Sequence, residues 1–199
     1  MNETYKVQVQ GLVDDLKAVF THAGLGGEAG EYKLLTQSFL YKFLNDKFLY
    51  QAKVLDESNT YENLLSMSEE DYDWLLEDIG TSTAWLKPDQ LIETLHRQQN
   101  EAAFYETFEN TLNQIAIDNN DIFSVHTDGD TAIRLFDERL ITDTISDSSK
   151  RNEVAKAIIN LLARVKFDET IFSQGFDFFS TLFEYMIKDY NKDGGGKYA

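Results

Sequence analysis

Apolar residues recur at three- and four-residue spacing along most of the chain, the period of helices that bury one face. Val9, Leu12, Val13, Leu16, Val19 and Phe20 form the first stripe, and Gly24 with the loop GLGGEAG over 24–30 closes it. From Glu28 to about Leu55 a wider apolar set, including Leu34, Leu35, Phe39, Leu44 and Phe48, predicts a central helix packed on more than one side. Asn59 followed by Glu62, and Ser68 followed by Asp71, read as N-caps of short helices with an acid in the first turn.

Pro88 suits a first helical position, where its missing N–H has no partner to lose, with Leu91, Ile92 and Leu95 facing inward. Asn100 reads as the cap of a helix that runs through about Ile117 on Phe104, Phe108, Leu112 and Ile115, until NNDIF at 119–123 breaks the pattern. The runs FSVHT and TAIRLF flank Asp128-Gly129-Asp130, a turn signal that predicts a small β-hairpin near residues 123–136. The helical period resumes at Ser149 with Val154, Ala157, Ile158, Leu161 and Leu162, and a last helix is predicted from about Phe176 to Tyr190. The expected fold is mainly α, a bundle-like helical domain over 1–190 followed by a glycine-rich exit over 191–199.

Composition narrows the function classes. With 199 residues and 42% apolar content the chain can build a sizeable core. A net charge of −17 opposes attraction to phosphate backbones and anionic membranes. There are no cysteines, which removes disulfides, thiolate chemistry and Cys-based zinc sites. His22, His96 and His126 are far apart in sequence and read as surface or cap residues rather than metal ligands. The chain has no apolar run of membrane-spanning length, and MNETYKVQVQ lacks the basic and apolar regions of a signal peptide, so the expected location is cytoplasmic with no membrane partner.

Several local patterns imitate chemistry. Asp189, Asn191, Asp193 and Gly194 match the opening of a calcium loop, but position 8 is Gly196 and the bidentate acid at position 12 falls at residue 200, past Ala199. A polar helix exit is the preferred reading of that segment. GLGGEAGEY could offer backbone N–H groups to a phosphate, yet it has no P-loop lysine and no strand before it, so it reads as a helix connection. The pairs Glu69-Glu70 and Glu77-Asp78 read as solvated charge rather than acid/base machinery, and Lys150-Arg151, Arg164 and Lys166 as cations that balance neighbouring acids. No catalytic, cofactor-binding or metal-binding residue is assigned.

Two stretches carry a family likeness. LLTQSFLYKFLNDKF, Leu34 to Phe48, resembles the first helix of type I restriction-modification modification (M) subunits, which reads roughly LLFLKYLSDKF. SDSSKRNEVAKAIINLLARVKF and then GFDFFSTLFEYMIKDYNKDGGGKYA resemble the same family's KRN helix, YEYLI-type helix and glycine-basic exit, with Phe183-Glu184-Tyr185-Met186-Ile187 standing where YEYLI is usual. Residues 59–99 match poorly.

The resemblance implies the helical N-terminal domain of an adenine-N6 DNA methyltransferase subunit. Its partners would be the specificity and restriction subunits, DNA through the assembled complex, and its own catalytic domain. S-adenosylmethionine would be the cofactor of the full-length parent only. The family's transfer motif N-P-P-(F/Y) is missing, since Pro88 after Lys87 is the only proline, so this piece alone is expected not to methylate. The ending GGGKYA is expected to lead into the catalytic domain. Two other readings stay open: an acidic protein that imitates DNA, and a single-loop calcium binder.

Overall fold

The computed structural model describes residues 3–81, 83–123, 135–167, 169 and 172, and the protein is mainly helical. The predicted hairpin turn at Asp128-Gly129, the helix Phe176 to Tyr190 and the exit over 191–199 lie outside the described residues, among which there is no strand.

Helix α1, Glu3–His22, buries Val9, Leu12, Val13, Leu16 and Phe20 as the stripe requires. It stops at Gly24, whose φ of 91° favours glycine, and the Leu25 N–H reaches back to the Phe20 carbonyl at 2.9 Å. Helix α2, Ala29–Leu55, is the central helix expected from its wide apolar face. Its buried positions cover a wide face, because it packs against α1, against later helices α4 (Glu69–Ile79) and α8 (Leu140–Thr144), and against α9 (Arg151–Arg164).

Helix α3, Tyr61–Ser66, corrects one predicted cap. Thr60, not Asn59, accepts the Asn63 N–H at the helix start. Asn59 is buried and donates its side-chain amide to the Ala52 carbonyl at 3.0 Å, which fastens the exit of α2. Ser68 does cap α4, accepting from the Asp71 N–H at 3.1 Å. Pro88 opens a 3₁₀ turn, Pro88–Gln90, and helix α5 follows only at Ile92–Gln98.

Helix α6, Phe104–Asp118, starts later than Asn100 would set it. Ala103 precedes it in the left-handed region at φ 54° and offers no side-chain cap. The break after α6 falls at fully buried Asn119, whose side-chain amide clamps Trp85 by accepting its N–H at 2.6 Å and donating to its carbonyl at 2.8 Å. Helix α7, Asn120–Phe123, and the short α8 were not signalled by periodicity. A 3₁₀ turn, Ser148–Lys150, held by the Asp147 carboxylate on the Ser149 N–H, leads into α9 where the resumed period placed it.

One device recurs through the core. Three helices lack a side-chain cap of their own and borrow one from a neighbouring helix. Asn45 of α2 accepts the Ile92 N–H that opens α5, at 2.9 Å. Asn152 of α9 accepts the Tyr105 N–H in the first turn of α6, at 3.0 Å. Glu109 of α6, buried, accepts the Ile141 and Thr142 N–H groups of α8 at 3.1 and 3.0 Å and the Thr142 hydroxyl at 2.8 Å. A carboxylate at a helix N-terminus also complements the positive end of the backbone dipole.

Candidate functional site

A cleft of about 530 Å³ opens beside the second half of α2. Its walls are α2, the segment leading into α3, the start of α5 and the end of α9 with Lys166, Phe167, Glu169 and Phe172. Lys42, Asn45 and Asp46 line its polar side, and Leu49, Tyr50, Phe167 and Phe172 its apolar side.

The polar side is one connected chain. Asn45 accepts from Ile92 and donates its side-chain amide to Asp46 Oδ1 at 2.9 Å, while Asp46 Oδ2 pairs with Lys42 Nζ at 3.0 Å. Lys42 is only 3% exposed, and its ammonium also lies 5.6 Å from the centre of the Phe167 ring. Burial pulls the Lys42 ammonium below its ordinary range; the attraction and hydrogen bond of Asp46 oppose this, and nearby Lys166 adds to it. A charge this deep is retained because the half-buried carboxylate of Asp46, one turn on, pairs with it.

The apolar side receives the chain as it leaves α9. Phe172 packs against Phe43 at 5.7 Å and against Tyr50 at 5.5 Å between ring centres. Lys53, at the last turn of α2, pairs with Glu169 across the same opening at 3.4 Å. The cleft thus marks where the chain passes over the central helix.

Of the patterns singled out in the sequence, Lys166 reaches the cleft and the other described ones fall elsewhere. His22 ends α1 beside a second groove of about 570 Å³ between α1 and α9, His96 Nε2 hydrogen-bonds Asn160 Oδ1 at 3.0 Å, and His126 lies outside the described residues. Among the described residues no group of three His, Cys, Asp or Glu side chains is arranged to hold a metal ion. The calcium-like residues Asp189, Asn191, Asp193 and Gly194 also lie outside them. In the glycine loop, the Gly27 N–H donates to the Glu31 carboxylate at 2.7 Å, so the anion that a phosphate would have supplied is already present as a buried side chain.

The basic islands are partly structural. Arg151 Nε donates to the Ile145 carbonyl at 2.9 Å, and its guanidinium lies 5.8 Å from the centre of the Tyr105 ring. Arg164 pairs with Asp15 at 3.1 Å, whereas Lys166 is exposed at the cleft. Glu69, Glu70, Glu77 and Asp78 are exposed on α4.

The cleft itself was not assigned from sequence. Its one legible signal is Lys42 and Asp46 at i,i+4 spacing inside a helix whose other positions are mostly apolar. No family model, curated protein or solved structure matches the chain. No helix of the described residues is long and apolar enough to cross a membrane.

Proposed function

We propose that this chain is the N-terminal helical domain of a type I modification subunit, an assembly and DNA-positioning module. Its full-length parent transfers a methyl group from S-adenosylmethionine to adenine N6 in DNA. The observation that carries the reading is a convergence. The first resembling stretch lies in α2 and the run over 146–167 contains α9; these helices pack together, and the two runs line one cleft through Lys42, Asn45 and Asp46 on one side and Ala163 and Lys166 on the other.

In this reading the matching residues are kept for architecture. Lys42 and Asp46 neutralise each other inside the helix bundle, Asn45 and Asn152 cap neighbouring helices, and Phe48 fills the core. The chain lacks the N-P-P-(F/Y) methyl-transfer motif, since its single proline, Pro88, follows Lys87 and starts a 3₁₀ turn. The specificity subunit would read the DNA target, and the restriction subunit would join the same complex. With −17 net charge, phosphate contacts would come mostly from those partners.

The test is co-purification of the full-length subunit with the specificity subunit encoded beside it, followed by transfer of labelled methyl groups to DNA. Association with methylation of adenine supports the proposal, and residues 1–199 alone should transfer nothing. A full-length protein that neither binds a specificity subunit nor methylates DNA sinks it. Inhibition of a restriction enzyme by the isolated domain would favour DNA mimicry instead.

A further inference from the structure

The cleft beside α2 has more hydrogen-bonding capacity than the chain uses. An ammonium carries three N–H donors, and among the described residues Asp46 Oδ2, at 3.0 Å, is the one acceptor paired with Lys42. Asp46 in turn accepts from Asn45 on Oδ1 and from Lys42 on Oδ2, whereas a carboxylate has roughly four lone-pair sites. The Lys42 side chain is 4% exposed and that of Asp46 13%, yet both line the opening. Spare donors and acceptors this far from bulk water are the groups by which a pocket selects its ligand.

The other walls narrow the chemistry of that ligand. A volume of about 530 Å³ suits a small organic molecule, for which pockets run from roughly 300 to 1,000 Å³. Tyr50, Tyr61, Phe167 and Phe172 line the cleft, and aromatic walls favour a flat ring. The charges cancel: Lys42, Lys53, Lys166 and Arg97, which Glu62 and Glu93 hold, stand against Asp46, Glu62, Glu93 and Glu169. Neither an anion nor a cation is favoured.

We infer that the cleft binds a nucleobase or nucleoside, a neutral flat heterocycle whose edge sets a hydrogen-bond donor beside an acceptor. The acceptor atom of the ligand takes an N–H of Lys42, its donor gives to Asp46, and its ring lies against the aromatic wall. The 3.0 Å between Lys42 Nζ and Asp46 Oδ2 is a span that neighbouring atoms on one ring edge can meet, much as a side-chain amide meets adenine with a paired donor and acceptor. A ligand with only a carbonyl or only an amine satisfies half of this pair. A nucleic-acid strand brings phosphates that the balanced cleft does not offset and that a chain of −17 repels. The inference stands apart from the assembly reading and survives its failure.

Isothermal titration of the chain with adenosine and with uridine tests it, each beside an analogue that lacks the edge donor: purine riboside for adenosine and N3-methyluridine for uridine. At least one nucleoside should bind at a single site, with its analogue weaker by about tenfold or more, as loss of a hydrogen bond to a charged group implies. Its 5′-monophosphate should bind no more tightly than the nucleoside. The double variant Lys42→Met/Asp46→Leu removes both edge partners while keeping the interior packed, and it should weaken binding by at least about tenfold. Tyr50→Leu, at a half-buried wall position, should weaken binding yet keep the preference for the nucleoside over its analogue, and it decides the matter if the double variant melts far below wild type. Dissociation constants above about 1 mM for both nucleosides overturn the inference. So does binding that the analogues share in full, or that these variants leave unchanged.

Discussion

Replacing Asn45 by alanine tests the borrowed caps where the geometry is most demanding. Asn45 is 4% exposed, and its carbonyl oxygen is the acceptor for the buried Ile92 N–H at 2.9 Å. Leu91, which precedes α5, offers no side-chain cap in its place. Alanine would leave that donor without a partner in the interior, which costs about 1–3 kcal/mol, and would remove the 2.9 Å amide bond to Asp46 as well. In a domain of this size each kcal/mol lowers the melting temperature by roughly 2–4 °C. Urea denaturation and a thermal melt give the total, while amide hydrogen exchange gives the location. Exchange at Ile92 should accelerate ahead of the rest of α5. Asn45→Asp keeps an oxygen toward Ile92 but places a second carboxylate beside Asp46, so it should recover only part of the loss. A destabilisation of Asn45→Ala below about 0.5 kcal/mol, with Ile92 exchange unchanged, would refute the idea that Asn45 holds the start of α5.

Lys42→Met alone should destabilise the protein by about 3–5 kcal/mol because it strands the Asp46 carboxylate, whereas Lys42→Met/Asp46→Leu should sit near wild type; a double variant as unstable as the single one would contradict this. Glu109→Gln should cost about 1–3 kcal/mol, since charge-assisted bonds to the Ile141 and Thr142 N–H groups become neutral ones, and exchange at those two amides should rise. Burial, with nearby Asp89 second, raises the Tyr41 and Tyr72 phenols above their ordinary value of 10.0, so the folded chain keeps both protons after the unfolded chain begins to release them. Their stabilisation is therefore whole below about pH 10 and is lost as the pH rises toward the folded values. Tyr32 is raised by burial in the same sense, while Lys42 and Lys47, shifted downward by burial, act in the opposite one. Urea midpoints measured from pH 8 to 11.5 should fall on the alkaline side, and the Tyr41→Phe/Tyr72→Phe variant should show a shallower fall; an equally steep one would show that these phenols are not the cause.

The helices that were legible in the sequence are those whose stripes are long enough to set a phase. α1, α2, α6 and α9 each repeat their apolar period over several turns, and burial then follows the stripe. α7 and α8 span four and five residues, too few for a period to appear. Ser68 caps α4 as its spacing predicts, and the two asparagine caps failed in a consistent way. Asn59 and Asn100 look like caps because Asn is a good local cap, but a side chain at the right spacing can find a better acceptor or donor across the core. Asn59 prefers the Ala52 carbonyl, and the start of α6 is served by Asn152 from far along the chain. The cleft was illegible for the same reason, since its walls come from segments that sequence distance separates.

Caps carried by a neighbour have a consequence for how this protein can come apart. A helix that holds its own cap can fray and reform as a local event, independent of its surroundings. α5, α6 and α8 have surrendered that independence, because each first turn is completed only while α2, α9 or α6 stands in place. Withdrawing α9 undoes the start of α6, and loosening α6 releases Glu109 from α8. The bundle therefore has few safe places to be cut. A shortened version that ends before α9 would lose not one helix but the first turns of others, and useful truncations of this chain must keep α2 and α9 together.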